Sequence, residues 1–349
     1  LVIVLAMVSF FKSIPNASFN LNQKEIISMT NQTKFIIILV CLLFSLFLLR
    51  PIFADTFSNL SRTTNKYYSI EVVNDKIWIV GERGTILQGT IGRDDWGYQD
   101  PGVIDPLNGV DFIDSLNGAI VGGEGLILKT EDGGKHWNII RHPKKVNLLS
   151  VKMVNKKDIW AVGDYGTVLS SHDGGKTWVD CSLSEDVILN GIFFLDSNRG
   201  WIVGERGTIL LTKDGGTTWV KQELGDGEDY LYSVLVWGTK GVITGACGVV
   251  YLSSDGGENW ERHQLKECKN LFSAAITSEN QIIVVGDTGL ILNLAWQPGR
   301  EIDSKKRSKV TYCWLKDLKP IKENSYVTCG NQGVCLISSD NGRSWNFLK

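Results

Sequence analysis

The sequence has no excess of charge of either sign. Its 38 acidic and 36 basic residues leave a net charge of −2, which excludes a global attraction to nucleic acid or to anionic lipid. A partner must then be recognised by a local patch. None of the 7 cysteines stands in a Cys-x-x-Cys pair, so the ligand spacing of a zinc site is missing. His136 and His172, two of only 4 histidines, have no second ligand at a metal spacing, and neither metal nor cofactor is expected. Gly174-Gly175-Lys176-Thr177 looks like the end of a phosphate-binding loop, but Ser170 stands where its first glycine belongs and no helix is expected after it. Disorder is excluded too, because 43% hydrophobic and 10% aromatic content in 349 residues suffices for a large core.

Long apolar runs are equally scarce. The segment Phe35 to Leu49 is uncharged for 15 residues, short of the roughly 20 that span a bilayer. Lys34 precedes it, and Pro51, Ile52, Phe53 and Ala54 follow with a small residue at a cleavage position. That order is the order of a secretory signal; a retained anchor, with Arg50 at its end, is the alternative. Signals begin chains, and Met29 to Lys34 makes an n-region. The expected organisation is therefore an upstream, non-native extension over residues 1–28, a signal peptide or membrane anchor over 29–54, a linker over 55–66 and one domain over 67–349. The expected location is periplasmic or lumenal. Outside the signal remain Cys181, Cys247, Cys268, Cys313, Cys329 and Cys335; export allows disulfides, but a core of this size does not need them, and small buried hydrophobes are expected.

What the sequence has in abundance is period. Gly81, Gly122, Gly163, Gly204, Gly245 and Gly286 follow one another at 41 residues, and Gly330 comes 44 residues later. A second glycine stands three positions after each: Gly84, Gly125, Gly166, Gly207, Gly248, Gly289 and Gly333. Each unit reads as four short strands, and the central ones, such as Ile77-Trp78-Ile79-Val80, are continuously apolar and so covered on both faces. A small sheet covered on both faces by copies of itself is a propeller blade. The predicted fold is all-β, a seven-bladed propeller of four-stranded antiparallel blades. Each terminal blade is complete, with no strand exchanged between the chain ends. The paired glycines predict a tight turn between strands two and three with positive φ.

A second motif recurs between strands three and four: Thr130-x-Asp132-Gly133-Gly134-x-x-Trp137, then Ser171, Asp173 and Trp178, then Thr212, Asp214 and Trp219, then Ser253, Asp255 and Trp260, then Ser338, Asp340 and Trp345. Trp96 marks a degenerate first copy, and Leu294-Ala295-Trp296 a decayed sixth. A carboxylate can accept N–H bonds across such a turn while the glycines take left-handed angles and the Trp packs back as an anchor. Five repeated carboxylates around a ring are not five active sites; the expected role is structural.

These residues resemble the Asp-box, or BNR, repeat. The fuller pattern Val203-Gly204-x-x-Gly207-Thr208-Ile209-Leu210 with Thr212-x-Asp214-Gly215-Gly216-x-x-Trp219 resembles the photosystem II stability and assembly factor-like propellers. The resemblance implies a non-catalytic lumenal scaffold that binds a reaction-centre protein through an arginine-rich patch. The turn residues depart from this: Glu82, Arg83, Glu124, Asp164, Glu205, Arg206 and Asp287 sum to −3. The wider repeat family is similar in architecture to sialidases, which implies a glycan-binding or glycoside-hydrolysing alternative. Of the arginine cluster a sialidase needs, only Arg83 and Arg206 stand in equivalent turns.

Function is expected on the face carrying the glycine turns and the blade-to-blade connections, opposite the Asp-boxes. The candidate contacts are Arg83, Asp164, Tyr165 and Arg206 in the turns, with Lys305, Lys306, Arg307 and Lys309 in the longer connection from blade six to blade seven. The expected protein is a monomer and no enzyme, binding an exported or membrane protein or peptide, with a glycan as second choice.

Overall fold

The computed structural model describes residues 65–223, 227–279, 281–295, 302–306 and 310–348. The calls on residues 1–28 and 29–54, and nearly all of the linker at 55–66, lie outside the described residues. From Tyr67 onward the chain folds into seven four-stranded sheets, each made of consecutive strands in spatial order. The first strands line the axis: Tyr67–Val73, Leu107–Phe112, Leu148–Met153, Leu189–Phe194, Leu231–Trp237, Leu271–Ile276 and Leu315–Lys322. Second strands such as Gly200–Gly204 are buried at every residue, as their continuous apolar runs require.

Alternation along these strands divides the core into layers between blades. Trp78 and Val80 join Leu107, Phe112 and Ile120 between blades one and two, while Ile77 and Ile79 face the other way, onto Val327, Cys329 and Cys335 of blade seven. Equivalent layers follow between every successive pair. The layer between blades seven and one closes the ring by packing and hydrogen bonds between complete blades. All four strands of the last blade come from residues 315–347 and all four of the first from residues 67–99, so no strand is exchanged. Each fully buried Ile or Leu contributes about 1.5–3 kcal/mol.

The turn between strands two and three explains both glycines, but not with one reason. The second, such as Gly207, has φ +61. The first is extended: Gly81 has φ −174 and Gly286 φ −169. Its restriction is contact. A Cβ on Gly204 would lie 2.1 Å from the carbonyl oxygen of Ile188, which accepts the Glu205 N–H at 2.9 Å. Positive φ therefore accounts for only half of the glycine pattern, and close approach of the residue preceding strand one accounts for the rest.

The Asp-box is a network built outward from a buried hydroxyl. Thr212 Oγ1 accepts the Gly216 N–H at 2.8 Å and donates to Asp214 Oδ1 at 2.8 Å; Asp214 in turn accepts the Thr218 N–H and hydroxyl. Ser171, Ser253, Ser338 and Thr130 repeat this arrangement. These bonds hold the Asp214 carboxyl below the usual carboxylate range, the Thr218 hydroxyl first among them. The tryptophans fill the layer shared with the preceding blade: Trp137, Trp178, Trp219, Trp260 and Trp345, and Trp96 in the degenerate copy.

Two expectations are corrected. Lys305 and Lys306 do not belong to a loop: Asp303–Lys306 is the outer strand of blade six. It pairs with the free edge of Ile291–Ala295, Lys306 opposite Leu292 and Asp303 opposite Ala295, because the ladder of that edge must be completed even where the Asp-box has decayed. Their side chains, and Arg307 and Lys309 entirely, lie outside the described residues. The cysteines also divide. Cys329 and Cys335 are buried, but Cys181, Cys247 and Cys268 are exposed and Cys313 is half-buried, since each of these four lies in a turn or connection.

Candidate functional site

Hydrogen bonds assign the two faces. The Gly84 N–H donates to Asp105 O at 2.9 Å, Gly125 to Val146 O at 2.7 Å and Gly207 to Asp229 O at 2.8 Å, so the glycine turns are tied to the connections leading into the next blade. Gly333 donates to Asn65 O at 2.7 Å, the same bond closing the ring. Asp-box turns instead bond to the turns between strands one and two, as Gly133 N–H does to Leu116 O at 2.8 Å. The glycine-turn and Asp-box faces are therefore opposite ends of the ring.

Within each glycine turn the second residue is left-handed and exposed. The seven are Arg83, Glu124, Tyr165, Arg206, Cys247, Thr288 and Gln332, with φ between 50 and 57. Such a conformation costs roughly 1–2 kcal/mol at a non-glycine residue, which the turn geometry imposes. Arg83, Tyr165 and Arg206 thus occupy equivalent places on blades one, three and four, and neither arginine has an ion pair among the described residues. Asp164 differs. It is a first-position residue whose carboxylate accepts the Asn147 Nδ2 amide at 2.8 Å, and Glu205 likewise accepts the Ile188 N–H at 3.1 Å. These acids brace the start of strand one. They are less available to a ligand than their charge suggests.

The inner strands carry a feature no motif announces. Each opens opposite its turn glycine (Tyr67 with Gly81, Leu107 with Gly122, Leu148 with Gly163, and so around the ring), and in all seven the register then shifts by one residue. The extra residue of a bulge escapes the alternation of the strand and its side chain is re-aimed. Those residues are Tyr68, Asn108, Leu149, Asn190, Tyr232, Phe272 and Lys316. They line the glycine-turn end of an axial channel of about 550 Å³. One level deeper stand Ser69, Gly109, Ser150, Gly191, Ser233, Ser273 and Asp317, small except for the last, which leave the channel its width.

Blades five to seven and one give the mouth an aromatic side. Tyr230 lies 5.1 Å from Tyr232, Tyr232 5.1 Å from Phe272, and Tyr68 stacks on Trp314 at 6.1 Å between ring centroids. The Lys316 ammonium lies over Phe272 at 4.3 Å and Tyr232 at 5.3 Å. Burial pushes its pKa below that of an ordinary lysine, opposed by Asp317 and Asp287. Deeper in the channel Lys152 pairs with Asp111 at 2.8 Å and Lys319 with Glu71 at 3.3 Å. Reading charges and turn motifs misses this cluster; the column of residues one step after each strand-opening position is the signal that finds it.

A ring that holds its repeated motif on one face and its varied side chains on the other is an Asp-box propeller. The chain belongs to the photosynthesis system II assembly factor YCF48 family, whose sequence model matches residues 91–188 and 180–269. Its structure is similar to that of YCF48 bound to D1 peptide, with a TM-score of 0.65 and 18% identity over 80% of this chain and 94% of that one. YCF48 from Cyanidioschyzon merolae gives 0.55 and 19% over 69% and 84%. The WD40 propeller domain of Doa1 gives 0.60 and 14% over 79% and 93%. No match is found among curated proteins.

Proposed function

We propose that this chain is an exported, non-catalytic scaffold that holds a peptide segment of a protein partner on its glycine-turn face, at the mouth of the channel. One observation carries the reading: seven bulges, one per blade, turn non-repeating side chains toward the axis, and aromatic rings crowd one side. Rigid presentation lowers the entropy lost on binding, and aromatic groups supply large contact area. The similar YCF48 structure holding a D1 peptide supports the ligand class, and a photosystem assembly role follows if the partner is a D1-like segment. A membrane protein with an exposed terminus fits such a mouth.

The test uses the purified propeller, a panel of short peptides that includes the D1 peptide, and an array of glycans, with binding followed by tryptophan fluorescence and calorimetry. Saturable peptide binding that is lost in Phe272→Ala and retained in an Asp-box variant supports the reading. Binding or turnover of glycans with no peptide bound would replace it with the sialidase-like alternative.

A further inference from the structure

Three lysines line the channel, and they are not alike. Lys152 and Lys319 each have a carboxylate partner. Lys316 has none: it makes no hydrogen bond and no ion pair among the described residues, although it is half-buried in the channel wall. The rings of Phe272 and Tyr232 attract the charge through their faces, but a ring face accepts no N–H bond, so the donors of this half-buried ammonium are left to water or to an incoming acceptor.

The nearest acids are already engaged. Asp317, the next residue, accepts from Ser69 Oγ at 2.9 Å, Ile70 N–H at 3.1 Å, Ser273 Oγ at 3.1 Å and Leu318 N–H at 2.8 Å. Four donors consume its lone pairs. Asp287 belongs to the glycine turn of blade six and faces the Asn270 N–H at 3.4 Å. Neither closes on Lys316. The surroundings also limit what can. Glu71, Asp111 and Asp317 stand deeper in the same channel, and the turns above it carry Glu82, Glu124, Asp164, Glu205 and Asp287. Inside the channel Lys152, Lys316 and Lys319 balance those three acids, and Arg83 and Arg206 leave the turns at −3. A polyanion such as a phosphorylated or nucleic-acid segment would cross a net negative rim to reach a single lysine without a carboxylate partner. A singly charged carboxylate is matched by that one lysine, and its apolar body would lie against Phe272, Tyr232 and Leu149.

We propose that the channel mouth is a carboxylate pocket, with Lys316 as its cation and Phe272 and Tyr232 as its walls, so that the bound segment enters with a carboxylate pointing down the axis. The pocket itself stands on the channel geometry; its use by a protein segment rests on the scaffold reading above. The carboxylate is either that of a chain terminus or that of an Asp or Glu side chain.

The experiment uses small probes on the full propeller. N-acetyl-leucine and N-acetyl-leucinamide share one body and differ in charge, and N-acetyl-aspartic acid amide moves the charge to a side chain; each is titrated by ligand-observed NMR. The free acid is expected to bind about ten- to a hundredfold more tightly than the amide, the range of one charge-assisted hydrogen bond. Lys316→Gln is expected to abolish that discrimination, with folding checked by thermal melting. If the aspartyl probe also discriminates, side-chain carboxylates are accepted; if only acetyl-leucine does, the pocket reads termini. Equal binding of acid and amide to the unaltered protein overturns the proposal without any variant being needed, as does an undiminished preference in folded Lys316→Gln. Peptides that bind the mouth with no sensitivity to Lys316 leave the scaffold and remove the pocket. Acid-selective probe binding with no peptide bound leaves the pocket and removes the scaffold.

Discussion

Replacing Thr212 by Val deletes one hydroxyl and leaves the side-chain shape unchanged, which isolates what holds an Asp-box together. Thr212 is buried, with 1% of its surface exposed. Its oxygen accepts the buried Gly216 N–H at 2.8 Å and donates to Asp214 Oδ1 at 2.8 Å. In T212V that N–H has no acceptor and no room to turn to water, because Trp160 packs so closely that a Cβ on Gly216 would lie 2.2 Å from Cζ2. An unpaired buried donor costs about 1–3 kcal/mol. At the unfolding entropy typical of a domain this size, that is a fall in Tm of about 2–5 °C. Thr212→Ser keeps the hydroxyl, as Ser171, Ser253 and Ser338 do in the other copies, and is expected to lose less than half as much. Thermal and urea melts followed by tryptophan fluorescence measure both, since Trp219 packs edge-on to Trp160 at 5.8 Å beside the turn. Equal Tm values for T212V and the unaltered protein, or equal losses in T212V and T212S, would refute the hydroxyl-centred account and return the role to the exposed carboxylate.

Gly204→Ala, placing a Cβ 2.1 Å from Ile188 O, is expected to lower stability by about 3 kcal/mol, whereas Gly238→Ala, with φ +58 and open space around it, loses only about 1–2 kcal/mol of conformational energy; equal urea midpoints would contradict close approach as the reason for the first. Asp229 accepts two bonds from Arg262, at 2.7 and 3.0 Å, and the Tyr251 hydroxyl at 2.6 Å, and the Arg262 guanidinium foremost holds its carboxyl below the usual range. A carboxyl depressed in the folded state contributes stability that is complete above its unfolded pKa of about 3.9 and lost as pH falls through the lower folded value. Urea midpoints of the unaltered protein and Asp229→Asn are thus expected to differ at pH 7 and converge below about pH 4, and a constant gap would show that the charge is not the cause. Cys247 and Cys268 are both exposed and unbridged, Cys268 stands near enough to push the Cys247 thiol up, and the adjacent backbones are joined from Gly248 N–H to Lys269 O at 2.7 Å. Oxidised glutathione is therefore expected to cross-link the pair, read as joint protection from alkylation in peptide mass spectra; independent alkylation of each thiol would contradict that geometry.

Repeat number, blade boundaries and the structural Asp-boxes are legible in the chain because each blade solves the same local problem: an apolar run covered on both faces, a tight turn, and a tryptophan returned to the layer. Identical local constraints write identical residues at a fixed interval, and 41 residues is that interval. Arg83, Tyr165 and Arg206 are found the same way, from their place in the turn. Other features have no local cause. The outer strand Asp303–Lys306 exists because Ile291–Ala295 has an edge to complete, though nothing in its own residues resembles the other outer strands. Asp164 and Glu205 read as surface charge until the start of the neighbouring strand claims them. Lys316, Phe272 and Tyr232 stand 40 or more residues apart in the chain. They become one cluster only when ring closure brings three bulges to a common axis. The sequence by itself determines the repeating unit, since its constraints lie within about forty residues. Only the tertiary structure decides the site, because its members share no sequence neighbourhood and meet across blades.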